Sequence, residues 1–209
     1  MKFKLLFLLV CFSLFSFTES KKKVLIIGDS ISIGYTPYVK EGLNDVADVF
    51  HNRGNARYTG IGVDSLKSWL GDTDWDVIHF NFGLHDLCYR STPSNRDKKN
   101  GKLTTSLEDY EQNLREIVKI LKKTDAKLIF ATTTMVPNKE PGRYSEDVEK
   151  YNSVARKVME SNNIPINELY DISIGIHERN GNGDNDVHYN KEGYKELSVP
   201  VINAIKSAF

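Results

Sequence analysis

The sequence predicts an α/β domain, a parallel sheet of about five strands with helices on both faces. Three observations lead there. Short β-branched apolar runs alternate with helical patterns along the chain, which implies βαβ units. The 209 residues fit one domain, with 40% hydrophobic, 11% aromatic and 27% charged residues, an ordinary globular composition. Right-handed crossovers then leave few topologies, and ligands in such sheets bind beyond the carboxyl ends of the strands where the winding reverses.

The elements follow in order. Val24–Ile27 is the first strand, broken by Gly28. Thr36-Pro37 supplies a cap and a first-turn proline for a helix over Pro37–Asn44. Val46–Phe50 is a weaker strand, and Val63–Leu70 a short helix with Val63, Leu66 and Leu70 on one face. Asp76–Phe82 is a clear strand. Leu107, Tyr110, Leu114, Ile117, Val118 and Leu121 recur at helical spacing, with Thr105-x-x-Glu108 as a capping box. Lys127–Thr133 is the fourth strand and Ser145–Asn162 a long helix. Ile164–Leu169 is a weak fifth strand, and Lys191–Ala208 closes the chain as a helix. Residues 90–106 are polar and turn-rich, and read as a loop walling the site.

The N-terminus stands apart. Lys2 and Lys4 precede an apolar run, Leu5–Phe17, that is short for a membrane span, and Thr18-Glu19-Ser20 supplies a cleavage site. A signal peptide over residues 1–20 is expected, with residues 21–209 a single secreted or periplasmic domain and no stable membrane span after cleavage. Only Cys88 then remains, read as an apolar filler, so no intrachain disulfide forms and the core carries stability. The 28 basic residues balance 28 acidic ones; this charge balance and the lack of a basic stripe speak against nucleic acid as a partner.

Chemistry gathers at two distant points. Ser30 follows the first strand, at the ligand edge of the sheet, and His188 lies near the C-terminus in Asp184-Asn185-Asp186-Val187-His188. A serine hydroxyl becomes a competent nucleophile when a neighbouring base takes its proton and a third group orients that base.

Gly28-Asp29-Ser30-Ile31 resembles the first block of the SGNH, or GDSL, hydrolase family. Gly54-Asn55-x4-Gly60 resembles the second, Gly83-Leu84-His85-Asp86 sits at the third, and the region around His188 at the fifth. The resemblance covers the mature chain in block order. It implies a three-layer, flavodoxin-like α/β/α fold and an esterase without metal or cofactor. In it Ser30 is the nucleophile, His188 the base, and Ser30, Gly60 and His85 the oxyanion hole.

Two departures stand out. His85 replaces the family's asparagine, as in a GLHD subgroup. A histidine donates only from the right nitrogen or when protonated, which ties activity to mildly acidic pH; the alternative is a loop histidine away from substrate. The residue three before His188 is Asn185 rather than aspartate. Asp186 is taken as the triad acid, with Asp184, Asn185 or a backbone carbonyl as alternatives.

Other candidates have plainer readings. Asn180–Asp186 lacks the glycine and glutamate of a calcium loop and reads as a turn supporting His188. His51, His79 and His177 lack metal-ligand spacing. Asp29 and Asp86 brace turns, and Trp69 and Trp75 pack. Arg90, Arg96 and Arg143 read as solvated charge, the alternative being a grip on an acidic substrate group. The expected function is hydrolysis of a small-molecule or polysaccharide ester, with a lean to carbohydrate O-deacetylation because no apolar lid is visible. The alternatives are a lipid or lysophospholipid acyl hydrolase and a degenerate glycan-binding domain. Oligomeric state is left open.

Overall fold

The computed structural model describes residues 20–209. The expected leader lies outside them except for Ser20. Among the described residues no helix is long and apolar enough to cross a membrane.

Five parallel strands form the main sheet: β1 (Lys22–Ile27), β2 (Ala47–His51), β3 (Val77–Phe80), β7 (Lys127–Ala131) and β8 (Ile166–Asn167), ordered β2-β1-β3-β7-β8. This is the flavodoxin-like order, whose winding reverses between β1 and β3. Val24, Leu25, Ile26 and Ile27 are all buried, as a strand covered on both faces requires. Phe80 and Phe130 meet edge to face, centroids 5.3 Å apart, across β3 and β7.

Among the described residues, six helices cover the sheet. They are α1 (Ser30–Leu43), α2 (Thr59–Leu70), α3 (Leu107–Leu121), α4 (Ser145–Glu160), α5 (Leu169–Asn180) and α6 (Lys191–Lys206). α6 packs on α1 and α5, and α3 on α2 and α4, giving two helical layers.

The structure corrects four expectations. α1 begins at Ser30, not Pro37: Asp29 caps it by accepting from the Ile31 amide, and Pro37 lies inside the helix. The cap of α3 is one residue later than expected, with Ser106 accepting from the Asp109 amide. α5 was not expected, and the weak strand before it shrinks to Ile166–Asn167. Within the expected loop, β4 (Tyr89–Thr92), β5 (Asn95–Arg96) and β6 (Lys102–Leu103) form a second, antiparallel sheet ordered β5-β4-β6.

Candidate active site

Ser30 is the first residue of α1, directly beyond the end of β1 at the switch point. The turn before it is fixed from several sides. The Gly28 amide donates to Asn52 Oδ1 at 2.9 Å, its carbonyl accepts from the Ala56 amide, and a side chain at position 28 would meet Ser32 Oγ at 2.7 Å. The Ser30 amide belongs to the first helical turn, where no intrahelical acceptor exists. The macrodipole also makes this end of the helix favourable for negative charge.

His188 reaches this hydroxyl from 158 residues away. Its Nε2 lies 2.8 Å from Ser30 Oγ, and its Nδ1 lies 2.5 Å from Asp186 Oδ1. An ionised carboxylate only accepts, so Nδ1 carries the proton, Nε2 is bare, and the serine hydroxyl donates to it. The His188 amide donates to the same carboxylate oxygen at 3.0 Å. Burial pushes Asp186 up, but the bonds from the His188 amide and ring, with the nearby charge of Arg96, outweigh it and leave its pKa below the usual carboxylate value. Asp184 points elsewhere, 3.0 Å from Lys139 Nζ on the exposed surface. A second histidine holds the loop: His177 Nε2 donates to the Asp186 carbonyl at 2.7 Å.

The third block forms a tight turn from Gly83 to Leu87, whose amide donates to the Gly83 carbonyl. Gly83 has φ +148°, and a side chain there would strike Thr133 Oγ1 at 2.1 Å, so only glycine fits. Asp86 is fully buried. It accepts from the Thr59 amide at 2.9 Å and the Thr59 hydroxyl at 2.6 Å, tying this turn to the start of α2. Gly60 is the next residue of α2. Neither the Ser30 amide, the Gly60 amide nor the His85 ring meets a protein acceptor among the described residues. Burial first, then the charges of Arg143, Arg90 and Arg57, pushes His85 down to about 3. The ring is therefore held neutral, with one nitrogen protonated and able to donate. Burial thus works against the acid sensitivity expected at this residue.

The family model described as GDSL-like Lipase/Acylhydrolase matches residues 26–196. The chain belongs to this family. As a GDSL-type enzyme it is a carboxylic ester hydrolase. Solved structures share the fold at low identity. An acetyl xylan esterase, AlAXEase, is 18% identical, with 88% of this chain and 99% of that one covered and a TM-score of 0.71. A lipase/acylhydrolase from Enterococcus faecalis is 19% identical over 89% and 96%, with a TM-score of 0.72. A catalytic mutant of Axe2, an acetylxylan esterase from Geobacillus stearothermophilus, is 18% identical over 89% and 94%, also with a TM-score of 0.72. No curated protein matches the chain significantly.

Near these residues, Arg143 is not solvated. It is buried, with Nε donating to the Leu84 carbonyl at 2.6 Å and a terminal nitrogen 2.7 Å from Glu140 Oε1. Glu140, also buried, accepts from Arg96 at 2.7 Å and from the Gly142 amide at 2.6 Å. Arg143 thus braces the third-block turn through the Leu84 carbonyl. The Glu140-Pro-Gly-Arg143 turn was its only trace in the sequence. A second serine–histidine pair, Ser32 Oγ to His51 Nε2 at 2.7 Å, has no motif that marks it in the sequence.

Proposed function

We propose that Ser30 is the nucleophile of this esterase, His188 its base and Asp186 the acid that orients and supports His188. The observation that carries this reading is the continuous path from the Ser30 hydroxyl through the imidazole to the Asp186 carboxylate.

The chemistry follows from the groups present. Nε2 takes the hydroxyl proton as Oγ attacks the ester carbonyl carbon. Nδ1–H already faces a carboxylate held in its ionised form, which stabilises the imidazolium as it forms. The tetrahedral oxyanion is received by the Ser30 amide at the α1 terminus, the Gly60 amide at the α2 terminus and the neutral His85 ring. One such preorganised donor is worth roughly 2.7–4 kcal/mol. Collapse passes the proton from Nε2 to the leaving alcohol and leaves an acyl-serine, and water then attacks it by the same route in reverse.

The substrate we propose is an O-acetylated carbohydrate, acted on outside the cytoplasm after removal of the leader. The acetylxylan esterases among the structural neighbours support the acyl group, and the polar loops 88–106 and 134–146 support a hydrophilic leaving group. An acyl-length series on chromogenic esters tests this, with native protein beside Ser30→Ala. Turnover is expected to be greatest on acetate and abolished by the substitution. A preference for long acyl chains overturns the deacetylase reading.

A further inference from the structure

The antiparallel sheet β4–β6 places three cations abreast. Arg90 is paired in register with Arg96 on one side and Lys102 on the other. Residues directly opposite in a sheet share a face, and like charges there repel. The row is an arrangement with a cost that no carboxylate relieves at two of its members: neither Arg90, which donates to the Pro93 carbonyl at 3.1 Å, nor Lys102 has a carboxylate partner among the described residues. Arg96 shares its one carboxylate, Glu140, with the buried Arg143.

Two members of the row carry charge felt at the reaction centre, Arg90 at His85 and Arg96 at Asp186. A side chain added at Gly142 would strike both Arg96 Cβ, at 2.7 Å, and Cys88 Sγ, at 3.0 Å, so Arg96 lies on the side of β4 that Cys88 and Arg90 share. From Arg96 the path runs through Glu140 and Arg143 to the Leu84 carbonyl, which adjoins His85. Arg57, exposed and also without a carboxylate partner among the described residues, adds charge felt at His85.

From this geometry we infer that Arg90, Arg96 and Lys102 form an anion-binding subsite for a carboxylate on the polymer whose ester is cleaved, so that the preferred substrate is an acetylated uronic-acid polysaccharide rather than a neutral one. Guanidinium forks match carboxylates in two-point contact, and an ammonium adds a point charge. The subsite rests on the esterase reading of Ser30 for its meaning but can be measured without it.

The test compares acetate release from acetylated polygalacturonate and acetylated xylan, in low and high salt. The native enzyme is expected to favour the acidic polymer at least tenfold in kcat/KM in low salt, with the preference fading as salt rises. Arg90→Gln with Lys102→Gln should reduce the preference about tenfold. The double variant should also melt at a higher temperature than native protein, because a repulsion has been removed. Equal kcat/KM on both polymers, or a preference that survives the double substitution, overturns the inference while leaving the esterase standing. In parallel, Ser30→Ala protein is titrated with unacetylated oligogalacturonate and with xylo-oligosaccharide. Binding of the acidic oligomer alone, lost in the double variant, upholds the subsite even if no polymer is deacetylated, in which case the esterase reading fails by itself. No binding of the acidic oligomer overturns the inference.

Discussion

Two serine–histidine pairs sit two residues apart on one helix. Ser30 meets His188 at 2.8 Å, and Ser32 meets His51 at 2.7 Å. In both, Nδ1–H donates to an oxygen and leaves Nε2 bare for the hydroxyl: His51 Nδ1 lies 2.8 Å from the Asn52 carbonyl, which can only accept. The distances do not tell them apart. The surroundings do. His188 leans on an ionised carboxylate, His51 on a neutral carbonyl that offers far less to an imidazolium. Ser30 is half-buried at the helix tip, whereas Ser32 is 2% exposed and its one hydroxyl proton faces two acceptors, His51 Nε2 and the Asp29 carbonyl 2.8 Å away. The Ser32 pair fastens β2 to α1. A short serine–histidine contact is thus no sign of a nucleophile until charge support and access are added.

The comparison is broken most sharply by exchanging each serine. Ser30→Ala should lower kcat on a chromogenic acetate about 10⁵- to 10⁶-fold. Ser32→Ala should leave it within about threefold and instead cost about 1–3 kcal/mol of unfolding free energy in denaturant titration. Comparable losses of rate in both would erase the distinction. Next in size is the carboxylate. Asp186→Asn should cost about 10⁴ in kcat, as loss of that charge and tautomer control does in serine proteases, with little change in KM. A third difference is the oxyanion donor. His85→Ala should cost roughly 100- to 1000-fold in kcat, and His85→Asn should recover much of it, since an amide is also a neutral donor. A His85→Ala enzyme with native kcat would remove this residue from the site.

The smallest effect concerns pH. Burial pushes His51 below the ordinary histidine pKa. The unfolded chain therefore binds the proton first as pH falls, so stability conferred by neutral His51 is present above about 6.5 and lost below it. The stability gap between native protein and His51→Gln, measured by thermal melts, should narrow as pH drops from 7 toward 5. A gap that widens contradicts a buried neutral ring.

Much of this molecule is legible in sequence, for physical reasons. β1, β3 and β7 announce themselves because strands buried on both faces must be almost wholly apolar. α3 is equally plain, since its buried residues repeat along one stripe over a charged exterior. α5 is not. Its buried face is Leu169, Ser173, Ile176 and His177, half of it polar, while Ile172 and Ile174 are exposed, so the stripe that marks a helix is inverted. The start of α1 is masked similarly. Ser-Ile-Ser-Ile-Gly has poor helix propensity, and the helix is held there by the Asp29 cap and by packing on α6.

The site divides along the same line. Ser30 and His188 stand out because their chemistry is local and their flanking turns are short. The meeting of Asp186 with the imidazole depends on a loop held by His177, and that contact has no spacing rule to reveal it. The β4–β6 sheet has no apolar alternation at all. It is held by turns and by hydrogen bonds to neighbouring loops, such as that from the Tyr89 amide to the Gly142 carbonyl at 2.7 Å, so its polar sequence reads as a loop.

The most direct measurement is covalent capture. Native protein treated with a fluorophosphonate and mapped by peptide mass spectrometry should carry one adduct, on the Ser30 side chain, absent from Ser30→Ala and strongly slowed in Asp186→Asn. An adduct on Ser32, or labelling that persists in Ser30→Ala, would contradict the assignment of Ser30 as the nucleophile.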